Sequence, residues 1–408
     1  MVTAQAPDIN SEVLTAIVSR IFAIEGVTLG SPQQGFAMRY IGHLYGEDSA
    51  AAYDQLAEAL RPYNLTPLFR VEKDRQVIIL VNGLLKTRPS NPWVNVLLFV
   101  LTVISVLIVG GYYSATVDPF ANGFTLNGVI DLVLGGLPYG ISLMAILAAH
   151  EFGHYLAGRF HKTQVTLPYF LPMPFPGSFG TLGAFINMKE PPKNRRILLD
   201  IGIAGPLAGL VVAIPVLLIG LSLSNLNHLP TITDQGASFQ LEGNSLLYLA
   251  SKLVVFHQLL PAPVSYGNVS PIFYWVRYFF TGKPLPFGGT DVFLNPIAWA
   301  GWVGILVTAL NLIPAGQLDG GHMLFVLLGT RRARQILPII LGLLVLLGFV
   351  WSGWWLWAAL IFLLGRVYAE PLDQITTLDP KRKALAVLAI VIFFLVFTPV
   401  PLIYYFGA

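Results

Sequence analysis

His150-Glu151-Phe152-Gly153-His154 sets two imidazoles four residues apart, with a carboxylate beside the first. On a helix that spacing puts both rings on one face, where they can reach a single metal ion. Glu151 then stands where it can take a proton from a water activated at that metal. The implied chemistry is metal-assisted hydrolysis. A zinc hydrolase needs three protein ligands and one open position, so a third ligand must come from another part of the chain.

The elements that position these residues belong to a membrane protein. The 408-residue chain is 55% hydrophobic and 11% charged, against about 25% charged in soluble domains. No Asp, Glu, Lys or Arg occurs in 89–117, 132–150, 201–233, 292–318, 335–365 or 384–408. A bilayer is crossed by about 20 apolar residues, so each gap, with or without its flanks, reads as a crossing. The expected spans are 93–113, 138–160 (carrying the histidines), 197–223, 295–314 and 384–405. Residues 335–365 form either one tilted helix or a short pair broken at Ser352-Gly353. The net charge of +3 is small. The basic residues read as topology signals, and no nucleic-acid partner is expected. With no cysteine in the chain, disulfides and thiolate metal sites are excluded. The first residues have neither a basic start nor an apolar core, so no cleavable signal peptide is expected.

Residues 1–88 read as a small soluble α+β domain, closed by Lys86, Arg88 and a Pro-rich stretch. A helix is expected over 48–61, a hairpin over 67–72 and 76–81, and a third strand at 35–42. Residues 89–408 are the membrane domain. Residues 114–137, with Asp118 and Asp131, read as a loop with room for a short in-plane or re-entrant segment, and 224–291 as a long non-cytoplasmic loop with apolar segments at 245–260 and 271–280. Residues 177–187 alternate like a short hairpin. Gly202-Ile-Ala-Gly-Pro-Leu-Ala-Gly209 reads as a helix-packing stretch rather than a chemical one.

The excess of Lys and Arg at 159–162, 193–196 and 331–334 places those ends in the cytoplasm, together with residues 1–88. His150 is then about 15 Å of helix from Phe160, inside the bilayer and nearer its cytoplasmic side. Asp319 follows a span that ends on that same side. Intramembrane carboxylates are costly and mark function by default, so Asp319 is the leading candidate for the third ligand.

His150-Glu151-Phe-Gly-His154, together with Asn311-Leu-Ile-Pro314-Ala-Gly-Gln-Leu-Asp319-Gly-Gly, resembles the signature of the site-2 proteases, the intramembrane zinc metalloproteases. The resemblance covers roughly 93–370, and with the soluble N-terminal part it looks most like the cyanobacterial and plastid branch. The resemblance implies a helical polytopic protein of about 6–8 membrane segments with a membrane-associated β-hairpin. It implies Zn2+ bound by His150, His154 and Asp319, and Glu151 as general base. Asn311 matches a family position that holds the scissile carbonyl or stabilises the oxyanion; a helix-packing hydrogen bond is the other reading of that residue. The hairpin, with Thr181, Leu182, Gly183 and Ala184, matches an edge to which an unwound substrate can add as a strand; plugging the bundle mouth is the other reading. The implied substrates are single-span proteins of a bacterial inner or thylakoid-like membrane. The oligomeric state stays open.

Three other classes compete. A catalytically silent scaffold would be free to lose Glu151 and the ligands, all of which are present. A metal transporter requires polar residues through the full membrane depth, and three spans carry no charge. A prenyl protease with the same histidine motif expects a glutamate ligand, which the Asp-Gly-Gly ending fits poorly. His322 reads as a supporting or interface residue.

Overall fold

The computed structural model describes residues 11–31, 35–85, 89–115, 123, 125–175, 177–230, 238–285, 288–365 and 369–406. The first ten residues, Lys86, Arg88 and Asp118 lie outside that set.

The N-terminal layer contains helix α1 (Ser11–Val18), strands β1 (Phe22–Leu29) and β2 (Phe36–Leu44), helix α2 (Ser49–Leu60), and strands β3 (Leu65–Glu72) and β4 (Arg75–Asn82). The strands form one antiparallel sheet in the order β1-β2-β4-β3. Asp48 caps α2 by accepting from the Ala51 N–H. Tyr53, Leu56 and Leu60 of α2 pack with Phe22, Tyr40, Phe69 and Ile78 in a core of their own. Both α1 and β1 are additions to what the sequence reading foresaw.

Among the described residues, three helices are long and apolar enough to cross a membrane: α3 (Pro92–Ser114), α4 (Leu126–Phe160) and α5 (Arg195–Ser222). Their apolar side chains are not all buried: on α3, Leu97 and Ile104 are exposed, as expected of lipid-facing positions. α4 begins twelve residues earlier than expected, because 126–137 are helix rather than loop. Thr125 caps that start by accepting from the Gly128 N–H, and Pro138 is tolerated inside the helix. The early turns cross α3 closely, since a Cβ on Gly136 would stand 2.0 Å from the Leu107 carbonyl oxygen.

Between α4 and α5 lie β5 (Tyr169–Met173) and β6 (Gly180–Phe185), an antiparallel pair. The hairpin therefore spans 169–185 and not 177–187 alone, its first strand being Tyr169–Met173. Polar side chains of the apolar helices hold its backbone. Asn95 donates to the Leu167 and Pro168 carbonyls, Ser105 to Gly180, Tyr113 to Ser178 and Tyr139 to Phe179. Backbone at membrane depth requires such partners.

The chain then forms an outer subdomain of β7 (Asn225–His228), β8 (Ser238–Glu242), α6 (Leu246–Phe256), α7 (Pro271–Thr281) and β9 (Thr290–Phe293). Next come α8 (Pro296–Asn311), α9 (Asp319–Gly348), α10 (Gly353–Leu364), α11 (Pro380–Val396) and β10 (Leu402–Phe406). α9 is interrupted at Gly329, whose φ of 78° is left-handed. α9 and α10 are separate helices that break at 349–352 and fold back on each other, with the Trp355 indole donating to the Val345 carbonyl. The last stretch is not one helix to Tyr405. It stops before Pro399 and Pro401, and 402–406 pair with β8 as a strand. Asp200 on α5 ties three helix ends together, meeting His161 at 3.0 Å and Arg382 at 2.6 Å.

Candidate active site

His150 and His154 stand one turn apart on α4, and Asp319 is the first residue of α9. Asp319 Oδ2 is 3.3 Å from Nε2 of each histidine, and the two Nε2 atoms are 3.2 Å apart. The three donor atoms make a nearly equilateral triangle. Ligand atoms around a tetrahedral zinc, with bonds of about 2.0–2.1 Å, are separated by about 3.3 Å. His154 Nδ1 donates to the Ile201 carbonyl at 2.7 Å, which fixes the tautomer and leaves the Nε2 lone pair for a metal. Donor chemistry, spacing and tautomer all fit zinc. Among the described residues, this is the group of three or more such side chains placed to hold an ion.

Both histidines and Glu151 are buried, and among the described residues Glu151 Oε2 has no hydrogen-bond partner. A buried carboxylate oxygen without a partner is costly, and here it borders a cavity of about 150 Å³. The same cavity is lined by His150, His154, Asp319, Asn311 and His322. Asn311 ends α8 and points its amide Nδ2 at His150 Nε2, 3.2 Å away. Leu312–Leu318 reverse the chain between α8 and α9, which brings Asn311 and Asp319 to one cavity.

Of the four hairpin residues singled out in the sequence, Ala184 lines the cavity, followed by Phe185, Ile186 and Met188. Thr181 turns inward and donates to the Leu171 carbonyl. Leu182 is exposed, and Gly183 has a left-handed φ of 100°. β6 pairs with β5 on one edge.

Gly202–Gly209 is, from its sequence, a helix-packing stretch. These glycines are the floor on which the imidazoles rest. A Cβ on Gly205 would stand 2.0 Å from His154 Nε2, one on Gly209 would be 3.1 Å from His150 Nδ1, and one on Gly202 would be 3.3 Å from His322 Cβ. The spacing of three and then four matches one helical face, a signal present in the sequence. What that face meets was not.

The sequence profile described as Peptidase family M50 matches residues 139–350. Among curated proteins, the chain is 27% identical to the probable zinc metalloprotease EGY2, chloroplastic, of Oryza sativa subsp. indica, over 92% of this chain and 63% of that protein. It is 29% identical to the Arabidopsis thaliana protein of the same name, over 67% of this chain and 43% of that one. The probable zinc metalloprotease EGY1, chloroplastic, of Arabidopsis thaliana is also 29% identical, over 65% and 43%. The chain thus spans less than two thirds of the length of these relatives. No solved structure matches.

Proposed function

Because the chain belongs to peptidase family M50, we propose that it is a zinc endopeptidase that cuts the membrane-spanning segments of single-span membrane proteins. The observation that carries this reading is the triangle of His150 Nε2, His154 Nε2 and Asp319 Oδ2, 3.2–3.3 Å on a side, beside a buried Glu151 on a helix long and apolar enough to span a bilayer.

Those three atoms would hold zinc, which when bound would supply a Lewis acid and lower the pKa of a water to about 7. Glu151 takes the proton of the attacking water and returns it to the leaving amine as the peptide bond breaks. Asn311 holds the scissile carbonyl. A transmembrane helix shields its own peptide bonds, so the substrate must unwind locally, and its freed backbone groups need partners away from water. The edge of β6 not paired with β5 offers them by strand addition, with Ala184–Ile186 beside the cavity.

The basic residues at 193–196 begin α5 and those at 331–334 follow Gly329, which supports a cytoplasmic position for the N-terminal layer and for the nearer end of the site. In this reading α8, α9, α10 and α11 join the three long helices as seven membrane segments, within the expected 6–8, in a bacterial inner or thylakoid-like membrane. Because the chain has no cysteine, single cysteines labelled from either side report this topology directly.

The decisive experiment is purification in detergent, zinc assay, and cleavage of single-span reporter proteins by wild type and Glu151→Gln. Zinc near one per chain in both, with cleavage lowered at least about 1,000-fold in the variant, is the expected result. Equal cleavage by the two proteins would sink the reading.

A further inference from the structure

A third imidazole shares the cavity with the two ligand histidines and belongs to neither the metal triangle nor the base. His322 lies three residues after Asp319 on α9, hence on the same helical face. Its side chain is buried, 8% exposed, and lines the cavity alongside Glu151 and Asn311. Among the described residues, its Nδ1 has no hydrogen-bond partner. Leaving a buried polar atom unpaired costs about 1–3 kcal/mol, and native proteins keep few such atoms without a use for them. His322 also rests on Gly202 as His154 rests on Gly205 and His150 on Gly209. One face of α5 therefore holds three rings towards one cavity, and two of the three have an assigned use.

We propose that His322 is a catalytic residue of the reaction: it donates a ring N–H to the scissile carbonyl oxygen as that oxygen gains negative charge. This rests on the protease reading above. In the step, the water oxygen bonds to the carbonyl carbon, its proton goes to Glu151, and the π electrons of the carbonyl move onto the oxygen that His322 meets. The His322 proton stays on its ring throughout. When the C–N bond breaks, the proton on Glu151 passes to the amine. A donor already fixed at the place where charge develops needs no reorganisation, and removing such a donor costs about 10²–10³ in kcat.

The test uses the full-length, zinc-loaded protein with His322→Phe, His322→Gln and Gly202→Ala. Each is assayed for zinc content, for kcat and KM on a single-span reporter, and for affinity towards a phosphinate peptide of the reporter's cleaved sequence. For His322→Phe the expected result is one zinc per chain, KM within about 2-fold, and both kcat and phosphinate affinity lowered about 100-fold. His322→Gln, which keeps an N–H donor, restores about a tenth of the wild-type rate or more. Gly202→Ala displaces the ring by a few tenths of an ångström and lowers kcat about 10-fold with zinc retained. It supplies the reading if His322→Phe does not fold. Loss of zinc in His322→Gln would overturn the proposal in favour of a role in holding the ligands, as would an unchanged kcat in His322→Phe. A wild type that binds zinc and cleaves nothing would instead remove the protease reading, and this proposal with it.

Discussion

His154 is held from two directions, and each can be tested by a single substitution. The Ile201 carbonyl fixes its Nδ1–H, and Gly205 leaves the space its Nε2 side occupies. A methyl group on Gly205 would lie 2.0 Å from Nε2, against 3.1 Å between a methyl on Gly209 and His150 Nδ1. The first distance demands that helix or ring move, whereas the second asks for a few tenths of an ångström. Gly205→Ala is therefore expected to lose most of its zinc and at least about 100-fold in cleavage, while Gly209→Ala keeps zinc and loses about 10-fold or less. Zinc analysis of the two purified variants, side by side, checks the order; equal occupancy would contradict it. The contrast also marks how far the site was legible. His150, Glu151, His154 and Asp319 could be named from spacing, uncharged surroundings and family resemblance. The glycine floor could not, because small residues at helical spacing announce a close approach without saying what approaches. His322 was read as a supporting residue for a related reason: a lone histidine shows its environment only when three other elements close around it.

Elements were legible where one physical signal dominated and were misread where two competed. Charge-free apolar runs gave α3, α4 and α5, yet the same signal carried the last span through to Tyr405, where Pro399 and Pro401 end the helix and 402–406 pair with β8. The hairpin's second strand showed its alternation; the first hid behind its prolines, and its partners lie on α3, tens of residues away, where Ser105 accepts from the Met173 N–H and Asn95 donates to the Leu167 and Pro168 carbonyls just before the strand. The outer subdomain was least readable, because its central feature is a buried charge cluster. Lys252 of α6 is fully buried, 3.5 Å from Asp291 of β9 and 4.0 Å from Glu242 of β8, with the Tyr248 ring beneath it and Tyr248 OH donating to Glu242. Tyr278 of α7 closes the group through Asn244. One ammonium cannot balance two carboxylates, and burial raises the Glu242 carboxyl from its usual 4.5 to about 7 and raises Asp291 as well. Between those two pH values the folded chain keeps a proton that the unfolded chain has released. The contribution to stability is thus complete below pH 4.5 and is lost as pH rises through 7. Amide exchange across 238–256, corrected for its intrinsic pH dependence, is expected to show weaker protection at pH 8 than at pH 5. Glu242→Gln should flatten that difference. A wild-type profile independent of pH would refute the assignment.

At the scale of the whole molecule, a short segment runs between the N-terminal layer and the lead into α5, where Lys193 also pairs directly with Asp54 of α2. Residues 371–375 run along β3, the end strand of the sheet: the Phe69 N–H donates to the Leu372 carbonyl and the Gln374 N–H to the Phe69 carbonyl, while Arg70 donates to the carbonyls of Pro371 and Leu372. On its other side the segment meets the lead into α5, where the Leu372 and Asp373 N–H groups donate to the Pro192 and Lys193 carbonyls. Asp373 is fully buried at this junction and accepts from Ser49, from the Ile375 and Thr376 N–H groups and from the Thr376 hydroxyl. A four-donor carboxylate has no apolar replacement. Asp373→Ala leaves two hydroxyls and two N–H groups unpaired, so a loss of about 3–4 kcal/mol at the junction is expected. The loss should be local. The clamp holds 192–194, whereas the floor of the site begins at Gly202, two helical turns further into α5, and rests on contacts among α4, α5 and α9 that Asp373 does not touch. Faster exchange in 65–72 and 371–376, with zinc content at the wild-type level, is therefore the expected signature of the variant. Loss of zinc together with the junction would instead mean that the sheet edge and the metal site form one cooperative unit, with α5 transmitting strain between them.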